Sequence, residues 1–149
     1  MRQARSCWPV LVKKAQDAVT EVQTEIGQAI ARVEQLQASH QRLCTLYDEY
    51  RLKETQGQEP IMGMQANMNH RQFMGQLLNL QHRVVVDLGK AETSLAQLRK
   101  KRLLAEMEVQ KMQSLEAQDL KAVARDHQRH EQQQMDALGV RQFNLRMSP

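Results

Sequence analysis

Aromatic residues are scarce in this chain: one Trp, two Tyr and two Phe make up 3% of 149 residues. Such side chains carry much of the buried area of compact domains, so their scarcity argues against a thick globular core. Only 6 Gly and 3 Pro are present, too few for a fold made of many short elements and tight turns. The two cysteines, Cys7 and Cys44, lie far apart with no metal-ligand spacing. They read as free thiols in a reducing compartment. No run of about 18 apolar residues occurs, so no membrane span is expected. Lys13 and Lys14 follow too soon after Met1-Arg2-Gln3-Ala4-Arg5 for a signal peptide. A cytoplasmic protein is expected, at most peripheral to a membrane complex. The net charge of +4 comes from 21 basic and 17 acidic residues, largely interspersed. That pattern lacks the concentrated basic face of a nucleic-acid binder.

What remains is mostly Ala, Leu, Val, Met, Gln, Glu, Lys and Arg, which are mainly good helix formers. Between Pro9 and Pro60 only Gly27 and Gly57 intervene as breakers. Pro9 suits the first turn of a helix, where its missing N–H loses no bond, and Ser6 precedes it as a candidate cap. From there the sequence advances in steps of four and three: Trp8, Val12, Ala15, Val19, Val22, Ile26, Ala29, Val33, Leu36, His40, Leu43, Tyr47, Tyr50. Only His40 breaks the apolar or aromatic character. Sustained over about six heptads, this is the coiled-coil repeat. Lys13, Glu21, Glu25, Arg32 and Glu34 occupy the solvated face.

Glu54–Asn67 interrupts the pattern with Gly57, Pro60 and Gly63. A second helix is expected to start near Asn67 or Asn69, either of which suits a cap. Its seam reads Phe73, Leu77, Leu80, Val84, Leu88, Ala91, Leu95, Leu98. Arg102 interrupts it before Ala105, Val109 and Met112 resume. Beyond Leu115 the seam fades into the polar run Asp126–Gln134, and Met135, Leu138 and Phe143 restore some apolar character. The expected fold is all-α, a two-helix antiparallel coiled-coil hairpin with a longer, protruding C-terminal helix. Its parts are a tail over 1–7, helix 1 over 8–54, a turn over 55–67, helix 2 over 68–142 and a tail over 143–149. At about 1.5 Å per residue the arms span roughly 70 and 110 Å. Folding back at the turn puts Trp8 near Met112 and leaves the later helix unpartnered over roughly 30–40 Å. A polar helix without a mate gains little from packing, so this overhang is expected to be held by another protein.

Candidate chemistry is sparse. Cys44 has His40 four residues before it and Asp48 four after, on one helical face. A helix surface supplies no oxyanion donors, however, because its N–H groups are bonded internally. His127 and His130, beside Asp126 and Glu131, have a zinc-like spacing but no evident fourth ligand, and read as a solvated face. Arg99-Lys100-Lys101-Arg102 reads as a solvated basic stretch rather than a phosphate site. No catalytic, cofactor-binding or metal site is expected, and the chain is expected to work by binding other proteins. Leu43, Leu46, Tyr47 and Tyr50 end the first helix, and Phe73, Leu77 and Leu80 begin the second. That is more apolar surface than one two-helix seam buries, which points to a docking surface at the turn end.

Three stretches in order carry a resemblance: Leu43 to Tyr50-Arg51, Asn69 to Leu77 around Phe73, and Glu131-Gln132-Gln133-Gln134-Met135-Asp136 followed by Arg141. With the length and single hairpin, this pattern resembles the FliJ family of the flagellar type III export apparatus. That family is similar to the central stalk of rotary ATPases. The resemblance implies a non-enzymatic stalk for flagellum biogenesis, motility and protein transport. Its open end would sit in a hexameric flagellar export ATPase, and its other end would meet the cytoplasmic linker of the membrane export gate protein. Export chaperones are further implied partners; nucleic acid and direct membrane insertion are not. It implies a cytoplasmic location, peripheral to the inner-membrane export complex. Carried over residue by residue, the export-gate contacts are Leu43, Tyr50, Phe73 and Leu77. Ser39, Leu46, Leu80 and Val84 depart from the family pattern, with Tyr47 and His82 close by. At the ATPase end the residues are Met135, Asp136, Leu138 and Arg141. The other readings are an injectisome stalk, a generic coiled-coil scaffold pairing as a parallel dimer, and a basic helical nucleic-acid binder.

Overall fold

A computed structural model of the chain describes residues 3–55 and 63–147. They form two helices, α1 (Cys7–Thr55) and α2 (Met64–Met147), of 49 and 84 residues. No strand occurs among the described residues. The chain divides into two compact units. One joins the residues up to Thr20 with those from Leu103 on; the other runs Glu21–Arg102.

Within Glu21–Arg102 the two helices run antiparallel. Lys101 Nζ lies 3.7 Å from Glu25 Oε2 near one end, and Tyr50 stacks near Phe73 at the other, 4.8 Å between ring centroids. Between them Val22, Ile26, Val33 and Leu95 form a buried cluster, packed by Ala29, Leu88, Ala91 and Leu98. Leu36, Met74 and Leu77 are buried as well. Every position of the apolar series expected for α1 is buried or half-buried, His40 included. The 3.5-residue repeat returns each of them to the partner helix, which is why the series reads so cleanly.

The α2 series holds with one correction. Leu80 was expected in the seam but is 45% exposed. Gln81 takes its place, half-buried, and its Nε2 donates to the Leu43 carbonyl at 3.2 Å. The true line is Met74, Leu77, Gln81, Val84, Leu88, Ala91, Leu95, Leu98, a strict alternation of three and four. Choosing Leu80 favoured hydrophobicity over period, and period governs which side a residue faces.

In the other unit the pairing is again antiparallel. Gln16, Val19 and Thr20 share a groove with Glu106, Val109 and Gln110, and the Arg5 N–H donates to Asp119 Oδ2 at 2.9 Å. That register puts Trp8 about one turn beyond Met112, the residue it was expected to oppose. Ala15 is the one buried hydrophobic here among the described residues; Val12, Val19, Ala105, Val109 and Met112 are half-buried. A parallel self-paired dimer is therefore not the arrangement: in each unit α1 pairs with α2 of its own chain.

Helix ends differ from the expected boundaries for identifiable reasons. α1 starts at Cys7 with Pro9 in its first turn, as the ring allows. It ends at Thr55, whose hydroxyl donates to the carbonyls of Arg51 and Leu52 at 3.2 and 3.0 Å. α2 starts at Met64, because the Gly63 carbonyl accepts from the N–H groups of Ala66 and Asn67 at 3.0 and 3.3 Å. Asn67 and Asn69 are thus inside the helix rather than at its cap. Of the expected turn, residues 56–62 lie outside the described residues. Gly139 does not end α2, which continues through Met147 rather than stopping at 142. A single interior glycine costs only about 1 kcal/mol against alanine, too little to terminate a helix this long.

Candidate docking sites

Two groups of exposed apolar residues are candidates for binding, one in each unit. The first lies where Tyr50 of α1 meets the start of α2. The Tyr50 ring is tilted 60° against Phe73 at 4.8 Å and 41° against His70 at 6.2 Å. Lys53 Nζ stands 5.3 Å from the Tyr50 ring centroid, a cation over an aromatic face. His70 Nε2 is 3.4 Å from Glu54 Oε2, off the line of a hydrogen bond. In the same part of α2, Met74 and Leu77 are buried, 9% and 3% exposed.

The sequence-derived residues of this region therefore differ in standing. Leu43, Tyr50 and Phe73 are half-buried: each gives one side to the seam and the other to solvent. Leu77, expected among the surface contacts, is almost wholly covered and offers little to a partner directly. Its step of four from Phe73 turns it into the seam rather than to the rim. Leu46 and Tyr47 are half-buried beside Leu43. Leu52, Met64 and Met68, which the sequence reading did not single out, are 58%, 82% and 64% exposed and extend the apolar surface. Position at the helix ends nearest Gly57 and Pro60 was the signal that marks them.

The second group lies in the C-terminal part of α2. Half-buried positions continue through Glu116, Asp119, Ala122, Val123, Asp126 and His127, four of them polar. From Gln128 to Met147 every residue is exposed. Side-chain hydrogen bonds there include the local pairs Gln132 Nε2 to Asp136 Oδ1 at 3.1 Å and Gln134 Nε2 with His130 Nε2 at 3.2 Å. Met135 (67%), Leu138 (52%), Val140 (60%), Phe143 (61%), Leu145 (76%) and Met147 (71%) lie open to solvent. Met135, Leu138 and Arg141 fall on one side of the helix by their spacing, and Asp136 falls on the opposite side with Val140, Phe143 and Met147. The sequence reading noted Phe143 but placed 143–149 in a tail, and so missed Leu145 and Met147. The periodic return of apolar residues at 140, 143 and 147 was available as a sign.

Other candidates resolve into structural roles. Cys44 Sγ sits 3.7 Å from His40 Nε2, both half-buried along the seam. Asp48 is exposed, and the local N–H groups belong to α1. His127 and His130 gather no further ligands: among the described residues no group of three or more metal-binding side chains comes together. In the basic run, Lys101 pairs with Glu25 and Arg102 is half-buried at a seam position. Among the described residues, no helix is long and apolar enough to cross a membrane.

The sequence model of the family described as "Flagellar FliJ protein" matches residues 9–148. No curated protein and no solved structure gives a significant match.

Proposed function

The chain belongs to the FliJ family and is thus a component of the flagellar-type protein export apparatus; from that premise we propose that it is a non-enzymatic stalk coupling a hexameric export ATPase to the membrane export gate. The observation that carries this reading is the exposed stretch Gln128–Met147. It is helical, it has no counterpart from α1 among the described residues, and it bears six large apolar side chains. Such a helix buries nothing by itself, and exposed apolar residues at this density mark a binding surface. Met135, Leu138 and Arg141, with Asp136 on the opposite side of the helix, are the residues assigned to the ATPase pore.

The half-exposed rings of Tyr50 and Phe73, with Leu43 beside them, are assigned to the cytoplasmic linker of the gate. Aromatic anchors in well-packed surroundings are the usual carriers of interface energy. Leu77, buried in the same part of α2, belongs to the seam there. Export chaperones are further partners on this reading, which places the protein on the cytoplasmic side of the inner membrane, peripheral to the export complex. Its energetics are those of interfaces, with no bond made or broken.

Truncation after Leu120 tests the assignment. The Glu21–Arg102 unit keeps all its packing, so its helicity and melting should stay intact. Stimulation of the export ATPase by the truncated chain should vanish. Undiminished stimulation would remove the stalk reading.

A further inference from the structure

α1 is held to α2 unequally along its length. Of the eight buried hydrophobic residues described, Ala15 is the one in the unit that joins the residues up to Thr20 with those from Leu103 on; the other seven lie in Glu21–Arg102. An alanine buries few atoms, and Val12, Val19, Ala105, Val109 and Met112 along the same seam are only half-covered. Trp8 brings the largest side chain to this end. Its indole N–H is buried without a hydrogen-bond partner, which offsets part of what the ring gains. The bond from the Arg5 N–H to Asp119 is exposed to water. Segments with so little buried apolar surface open at a lower free energy than the packed remainder of a fold.

Local chemistry marks where such an opening stops. Thr20 ends this segment of α1, and its hydroxyl donates back to the Gln16 carbonyl at 3.1 Å. Bonds of this kind bend a helix and slightly weaken it. Just beyond, Val22 and Ile26 are 4% and 6% exposed, so the packing is dense again. On α2, Arg102 stands half-buried at a seam position at the edge of the denser unit, where Leu95 and Leu98 precede it with apolar side chains. A helical segment below about 15 residues is marginal in water by itself. Cys7–Thr20 therefore leaves α2 and loses its helix in one event.

What the segment covers is part of a longer line. The heptad positions of Ala105, Val109 and Met112 recur further along α2 at Ala137, Val140 and Met147, with the polar Glu116, Asp119 and Asp126 between them. Val140 and Met147 are 60% and 71% exposed. A partner surface running along this line meets Val140 and Met147 bare, and Ala105, Val109 and Met112 beneath α1. We infer that Cys7–Thr20 is a releasable strap. It opens from α2 as one unit while Glu21–Arg102 stays closed, and the ATPase, on docking at Val140 and Met147, displaces it to reach Ala105, Val109 and Met112. The displacement rests on the stalk reading above; the opening does not.

Amide exchange of the full chain through a series of low denaturant concentrations tests the opening. Leu11–Thr20 should exchange through one common event, with protection at least about a hundredfold below that of Ile26–Leu36. Equal protection in the two stretches overturns the strap. So does protection that fades residue by residue from Leu11 without a common event, which is ordinary fraying. The same measurement with the assembled ATPase ring bound tests the displacement. Leu11–Thr20 should then lose its remaining protection while Met107–Met112 gains it. Ala105→Leu thickens the seam under the strap, so it should slow exchange at Leu11–Thr20 and weaken ring binding by about tenfold. Val19→Ala should speed that exchange and leave binding as tight or tighter. If neither variant alters exchange at Leu11–Thr20, the strap is overturned. Protection of Leu11–Thr20 by the ring, or an Ala105→Leu chain with slowed exchange and undiminished binding, overturns the displacement. A ring that does not bind the full chain at all sinks the stalk reading and the displacement with it, while exchange in the free chain still decides the opening.

Discussion

The backbone N–H of Arg5 donates to Asp119 Oδ2 across 2.9 Å, so a carboxylate from α2 sits at the N-terminal end of α1. The first turn of α1 contains no acidic residue of its own. Helix N-termini hold unpaired N–H groups and the positive end of the helix dipole, so a carboxylate there stabilises the turn. Asp119 thus ties the residue just before α1 to α2 and holds a carboxylate near the positive end of the α1 dipole. Asp119→Ala should cost about 0.3–1 kcal/mol, the worth of an exposed carboxylate near a helix N-terminus. Amide exchange at Cys7–Val12 should accelerate, while exchange around Ile26 stays as slow as before. Unchanged exchange at Cys7–Val12 would show that the contact contributes nothing.

Leu77 and Leu80 are near neighbours with opposite surroundings, 3% and 45% exposed. Leu77→Ala removes buried methyl groups and leaves a gap, so a loss of about 2–5 kcal/mol is expected. Leu80→Ala removes an outward side chain and should stay within about 0.5 kcal/mol. Thermal melts of the two variants, compared at matched concentration, check the assignment of the seam. Equal losses would place both leucines inside.

Gln81 occupies a seam position among apolar residues and reaches the Leu43 carbonyl at 3.2 Å. The net worth of such a hydrogen bond is about 1 kcal/mol. Burying a leucine side chain in its place gains roughly 1.5–3 kcal/mol when the fit is good. Gln81→Leu should accordingly raise the midpoint of chemical unfolding, and Gln81→Ala should lower it. A leucine variant less stable than the alanine variant would contradict this balance.

The Tyr50–Phe73 ring pair, 4.8 Å apart, contributes about 0.5–1.5 kcal/mol to stability beyond its buried area. If these rings anchor the gate's cytoplasmic linker, either alanine variant should weaken linker binding by about tenfold or more, as central aromatic anchors do. Isothermal titration with the purified linker, alongside melting of each variant, separates the two effects. Binding unchanged in both variants would move the gate contact elsewhere.

Much of this architecture was legible because a coiled coil writes its packing directly into residue spacing. All thirteen seam positions read in α1, from Trp8 to Tyr50, are covered to some degree. Leu80 was misread because a leucine one residue out of step outweighed a glutamine in step, and Gln81 is tolerated there through its bond to the α1 backbone. The start of α2 was misplaced for a different reason. Asn67 and Asn69 are good caps, but Gly63 and its carbonyl already begin the helix, and local propensity gives no ranking among neighbouring starts. The covered positions beyond Leu115 were hard to see because Glu116, Asp119 and Asp126 are among them, and only Ala122 and Val123 leave a hydrophobic trace. The proposed docking residues could be read as a region rather than individually. Spacing tells which residues face α1, but whether a half-covered side chain such as Phe73 meets a partner depends on surroundings that spacing does not encode.

The central claim is that Gln128–Met147 is a binding element for the ATPase rather than an idle extension. Hydrogen exchange across this stretch, measured on the full chain alone and with the assembled ATPase ring, tests it most directly. The account predicts fast exchange in the free chain and strong protection at Met135–Phe143 in the complex, with little change at Val22–Leu36. Equally fast exchange at Met135–Phe143 in both samples, with the ring shown to be bound, would contradict it.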